Sequence, residues 1–214
     1  MTMTMTTRNL RSTLSAAPTA TLLTLTLLAA TALAETNGFD LRNALVPVDE
    51  IHAGGPVRDG IPSIDEPKFI AAGDADFLRG GDDVLGIVRN GVARAYPIRI
   101  MNWHEIVNDE IAGERVAVTF CPLCGTGIAF AAESLGRDLT FGVSGLLYNS
   151  DMLLYDRETE SLWSQIKKQA ITGPMKGHRL SALPLADLPN ALATFPFRNQ
   201  GVGTKIGDGL LPTS

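Results

Sequence analysis

From Asp83 onward the apolar residues recur with a period of two, in short runs broken by glycine, asparagine and aspartate. That period sends successive side chains to opposite faces of an extended chain, so it selects strands over helices. Val84–Val88 and Val92–Tyr96 flank Asn90-Gly91, a dipeptide suited to the left-handed positions of a two-residue hairpin turn. Between Arg115 and Phe120, residues Val116, Val118 and Phe120 share one face, and Ala117, Thr119 and Cys121 the other. Leu139, Phe141 and Val143 alternate after a turn at Gly136. Met152–Tyr155 is continuously apolar, as in a strand buried on both faces, and Ser161–Ile166 alternates again after a polar turn over Asp156–Glu160. The expected fold is mainly β, an antiparallel sandwich or irregular barrel with one or two short helices, its core spanning 83–194.

One helix is expected inside this pattern. Asn102 can cap it, with Glu105 completing a capping-box pair and Trp103, Ile106 and Val107 forming a buried stripe. His104 then falls beside the stripe. Trp103 and Trp163 read as core residues. Residues 35–82 are rich in Gly, Pro and Asp, and read as an N-terminal extension wrapping the core. Residues 195–214 carry four glycines and no periodicity, the pattern of a poorly ordered tail.

The first 34 residues hold no acid. Arg8 and Arg11 precede an apolar stretch from Ala20 to Ala30, and Ala32-Leu33-Ala34 supplies a small-x-small cleavage pattern. This is the three-part form of a signal peptide. Its apolar stretch is short of the roughly 20 residues a membrane-spanning helix needs. The expected product is periplasmic or extracellular, soluble after cleavage near Ala34, and without a membrane span. The formal net charge is -5, with 23 acidic against 18 basic residues, and no run of basic residues exceeds two. A surface that tracks nucleic-acid phosphates is therefore not expected. No glycine-rich phosphate loop is present, so no nucleotide cofactor is expected.

Both cysteines of the chain lie in Cys121-Pro122-Leu123-Cys124-Gly125, directly after the 115–120 strand. Two thiols at this spacing can ligate one metal, exchange between dithiol and disulfide, or staple a turn. Gly125-Thr126-Gly127 followed by alternating residues points to a turn returning into a strand, without the helix N-terminus that activates a thioredoxin-type cysteine. A Cys-Pro-x-Cys-Gly turn between strands resembles the metal knuckles of rubredoxin-like and zinc-ribbon sites, where glycine admits backbone N–H groups to the second sulfur.

A knuckle supplies two ligands, so a transition metal, copper or zinc, needs others. The chain's three histidines are His52, His104 and His178. His104, fixed on the helix, is the leading candidate, with Met152, His178 and His52 as accessory ligands. Met101 and Met175 offer further thioethers if the ion is Cu(I). The redox alternative uses the same Cys121 and Cys124, and the third alternative is a binding module with a structural disulfide. Whether the protein is an enzyme, and which partners it has, stay open at this point. Gly142-Val143-Ser144-Gly145-Leu146 lacks the geometry of a nucleophile elbow. Asn149, Asp151, Asp156 and Glu158 match no calcium loop and read as solvated turn residues.

Four motifs occur in a fixed order: Trp103-His104-Glu105-Ile106-Val107-Asn108-Asp109, Cys121–Gly125, Phe141–Leu146, and Tyr155-Asp156-Arg157 followed by Ser161-Leu162-Trp163. Together they resemble the exported family called domain of unknown function 3179, DUF3179, over about Asp40 to Leu192. The resemblance implies that His104, Cys121 and Cys124 occupy motif positions, and it implies no activity. Members of that family usually continue beyond the point where this chain turns glycine-rich near Phe195, which implies a truncated or frame-shifted C-terminus.

Overall fold

The computed structural model describes residues 35–70, 74–79 and 81–188. The signal-like segment and the 195–214 tail lie outside the described residues. Strands take 45% of the described residues and helices 7%. The strands are β1 (Glu35–Thr36), β2 (Phe39–Asp40), β3 (Ile51–Ala53), β4 (Val84–Arg89), β5 (Val92–Pro97), β6 (Ile106–Ile111), β7 (Glu114–Cys121) and β8 (Thr126–Ala131). They continue as β9 (Glu133–Ser134), β10 (Arg137–Asp138), β11 (Phe141–Tyr148), β12 (Asp151–Asp156), β13 (Leu162–Ser164), β14 (Gln169–Ala170), β15 (Ala182–Leu183) and β16 (Ala186–Leu188). A single α-helix among the described residues, α1 (Ile98–His104), separates β5 from β6.

Three antiparallel sheets carry the fold, and none closes into a barrel. The first has the order β14-β13-β12-β11-β3, the second β15-β8-β7-β6, and the third β16-β4-β5. Alternation along β7 explains how they stack. Ala117 and Cys121 face a core shared with Phe141, Val143, Met152, Leu154 and Trp163 of the five-stranded sheet. Val116, Val118 and Phe120 face a second core, shared with Leu85, Ile87 and Tyr96 of the three-stranded sheet and Met101 of α1. The four-stranded sheet is thus buried on both faces, and β7 is the strand whose pattern showed this most cleanly. A third core lies on the other side of the five-stranded sheet. There Leu146, Tyr148, Leu153 and Tyr155 pack against Phe39, Leu41, Val46 and Ile51.

The β4–β5 hairpin turns at Asn90 (φ 48°) and Gly91 (φ 79°), the left-handed pair its sequence called for. Between β11 and β12 the register jumps: Val143 pairs with Leu154, and Leu146 with Leu153. Two extra residues, Ser144 and Gly145, are accommodated there. Because two are inserted rather than one, the facing of the flanking side chains is conserved. Gly145 has φ 72°, and a Cβ at that position would lie 2.2 Å from the Pro56 carbonyl oxygen, so glycine is required.

The helix departs from expectation. It begins at Ile98, after Pro97, and ends at His104, so Asn102 lies inside it and caps nothing. Glu105 takes φ 59° and turns the chain into β6, where Ile106 and Val107 pair with Thr119 and Val118. Two consecutive β-branched residues gain more from that ladder than from a further helical turn. Met101 and His104 form the buried side of α1 instead, while Trp103 is 61% exposed and not a core residue. Trp163 is in the core at 0% exposure.

Candidate metal centre

The β7–β8 connection places both thiols. Cys121 ends β7 paired with Thr126, and the Gly125 N–H donates to the Cys121 carbonyl at 2.8 Å, closing the turn over Pro122–Cys124. Gly125, at φ 64°, supplies the left-handed residue that a tight return needs. Its N–H is spent on that carbonyl rather than offered to a sulfur. Cys121 is buried and Cys124 exposed, and both are free thiols.

Asp151, the first residue of β12, completes a group of three. One ligand atom each from Cys121, Cys124 and Asp151 lie within 4.8 Å of one another. The Cys124 Sγ stands 3.6 Å from Asp151 Oδ1, and Asp151 Oδ2 accepts the Ile166 N–H at 3.0 Å. Asp151 is buried, and burial holds its carboxyl above the usual carboxylate range against the pull of the Ile166 N–H and the Cys124 thiol. Burial likewise pushes the Cys121 thiol up to about 12, reinforced by the neighbouring Cys124 thiol; backbone hydrogen bonds from Cys124 and Met152 oppose it. Burial therefore disfavours the charged forms of Cys121 and Asp151, and the three groups lie close together. No lysine or arginine forms an ion pair with Asp151 among the described residues, and a cation in their midst would relieve the crowding.

The other sequence candidates are distributed as follows. His104 is 4% exposed, its Nδ1 lies 2.8 Å from the Pro62 carbonyl oxygen, and it is not a member of the three-residue group. Met152 is buried next to Asp151. His52 is exposed on β3, opposite Leu147, and His178 is half-buried in the turn that follows Met175. Met101 is packed in the core between the three- and four-stranded sheets, and Met175 in the core around Trp163. Asn149, Asp151, Asp156 and Glu158 do not gather around one point. Asp151 turns to the thiols, Asp156 accepts from Thr159 and Trp163, and Glu158 accepts the Thr140 N–H. Asp151 and Asp156 are buried rather than solvated, because both ends of β12 lie under neighbouring elements.

Two residues beyond the sequence candidates border this centre. Asp151 is one. The other is Glu105, which with Cys121, Pro122 and Leu123 lines a cleft of about 250 Å³ between α1 and the β11 bulge. Burial raises the Glu105 carboxyl to about 7. Its left-handed backbone at the exit of α1 was the signal that only the fold reveals.

The family model described as "Protein of unknown function (DUF3179)" matches residues 58–192, and the chain belongs to that family. That range contains α1, the cysteine turn and β12. No curated protein and no solved structure matches the chain.

Proposed function

We propose that this member of the family is an exported metal-binding protein whose ion is held by the Cys121 and Cys124 thiolates and the Asp151 carboxylate. The observation that carries the reading is the convergence of those three donors within 4.8 Å, with Asp151 buried and aimed at the thiols. Two thiolates and one carboxylate suit Zn²⁺ better than Cu(I), which prefers soft donors throughout. Cys124 is exposed, and three protein donors would leave a zinc ion one position for a ligand from solvent. Metal delivery and metal-assisted chemistry both use such an open position. His104 stays outside the ligand set; its ring ties the end of α1 to the Pro62 segment.

Export rests on the signal-like first 34 residues. No helix among the described residues is long and apolar enough to cross a membrane. Metal analysis of protein purified from an oxidising compartment tests the ligand set. One zinc per chain in the wild type, lost in Cys124→Ser and in Asp151→Asn, is the expected result. Absence of stoichiometric metal, or metal retained in both variants, overturns it. The mass of the secreted chain should begin at Glu35.

A thiol–disulfide reading draws support from one observation, an exposed Cys124 beside a buried Cys121. It suffers from the strand-turn setting and from the raised Cys121 thiol, since the thiolate is the reactive form. Rapid exchange with glutathione in metal-free protein, together with no zinc uptake, would select that reading.

A further inference from the structure

The cleft beyond Cys121 has the composition of a ligand site. Its walls are apolar: Ile61, Val143, Leu147, Met152, Pro122 and Leu123 all face it. Its ionisable lining consists of the Cys121 thiol and a single carboxyl, Glu105, with the Asn102 amide beside it. No lysine, arginine or histidine lines it, so nothing in the cleft recommends it for an anion. Among the described residues Glu105 has no ion-pair partner and no hydrogen-bond donor to its side chain; burial alone acts on it.

Two backbone features hold the carboxyl and the opposite wall in place. Glu105 occupies a left-handed conformation that a non-glycine residue adopts only at a cost, and the ladder fixes it there. Its N–H donates to the Met101 carbonyl, and its own carbonyl accepts the Phe120 N–H at 2.7 Å. Opposite, the Gly145 bulge is pinned by the Gly54 N–H donating to its carbonyl at 2.8 Å. A half-buried carboxyl against apolar walls is less fully hydrated than one on the open surface, and a cation arriving with the ligand would complete its partners. Strain and an unpaired polar group at one cleft are the pattern of a site preorganised for something it does not contain.

We infer that the cleft binds a small, largely apolar organic cation, a primary amine in particular, whose ammonium group is received by Glu105 while its hydrocarbon lies against the Val143–Leu147 wall. The ammonium brings the donors and the charge the cleft lacks, and the walls bring the area. The inference does not rest on an ion at the sulfurs, since the groups it uses are the Glu105 carboxyl and the Val143–Leu147 wall, while Cys121, Pro122 and Leu123 only border the cleft.

The experiment is a calorimetric titration of the chain with 2-phenylethylamine and, separately, with its neutral isostere 2-phenylethanol, in mildly alkaline buffer. The amine should saturate a single site with an affinity roughly tenfold or more above that of the alcohol. Glu105→Gln should abolish that advantage and leave the alcohol's affinity unchanged. Leu147→Trp, which fills the cleft from a half-buried position, should weaken both probes. Thermal melts of the two variants establish that they are folded. Absence of saturable amine binding, equal affinities for the two probes, or amine binding indifferent to Glu105→Gln overturns the inference. So does binding that survives Leu147→Trp, because it would lie elsewhere.

Discussion

The strand β12 begins and ends with a buried aspartate, and the two ends are built on different principles. Asp156 is enclosed by fixed donors: the Thr159 N–H at 2.6 Å, the Thr159 hydroxyl at 2.9 Å and the Trp163 Nε1–H at 2.8 Å. Asp151 is less enclosed: the Ile166 N–H donates to it at 3.0 Å, the Met152 N–H adds a weaker pull, and it otherwise looks onto two thiols. A carboxylate with its oxygens fully occupied can only hold a turn together. One with an oxygen left facing labile S–H groups can exchange those protons for a metal. The residue type is the same at both ends; the partners decide which is scaffold and which is site.

The largest effect should come from breaking the scaffold end. Asp156→Ala leaves the buried Trp163 indole and the half-buried Thr159 N–H without acceptors, and should cost about 4 kcal/mol in denaturant unfolding. A loss below about 1 kcal/mol would erase the distinction between the ends. At the site end, Asp151→Asn should lower zinc affinity roughly a hundredfold, about 2.7 kcal/mol, in competition against a chelator. The metal-free stability of that variant should change by less than about 1 kcal/mol, because few fixed bonds are lost.

A third carboxyl, half-buried, sharpens the contrast, because Glu105 has neither donors nor thiols committed to it. Its folded-state pKa, about 7, lies above the ordinary value of 4.5, so the folded state holds its proton more tightly than the unfolded state does. The favourable contribution of that protonated carboxyl is full below about pH 4.5 and is lost as the pH rises through about 7. Glu105→Gln should therefore leave acid stability unchanged and raise stability above neutrality by about 1–2 kcal/mol, after allowance for partial exposure. Melting curves at both ends of that range check it. The smallest effect is expected from Thr159→Val, which removes one of the three donors to Asp156 and should cost about 1 kcal/mol.

What the sequence disclosed follows from how local each signal was. The β4–β5 hairpin and the two-faced β7 were legible because turn chemistry and period two are properties of adjacent residues. The cysteine turn was legible for the same reason. Asp151 was not, since β12 meets the thiols only through stacking of two sheets that share no ladder. It read as one acid among several in a polar stretch. The helix was misplaced because Trp103, Ile106 and Val107 satisfy helical spacing, and the competing ladder with β7 lies outside any local window. Glu105 was masked in turn, since a capping role already explained it.

The pairing of β3 with β11 bears on the order in which the molecule is assembled. Ile51, His52 and Ala53 leave the ribosome long before Tyr148, Leu147 and Leu146, their partners in the ladder. Ile64 likewise waits for Val107, which it meets through an isolated parallel bridge. Closing such loops costs entropy before any contact compensates, so the first thirty described residues should be the last to dock. Until then Leu146, Tyr148, Leu153 and Tyr155, which those residues cover in the finished molecule, are bare. A nascent chain of this kind carries an apolar sheet face in need of a chaperone for as long as its own N-terminal segment remains undocked.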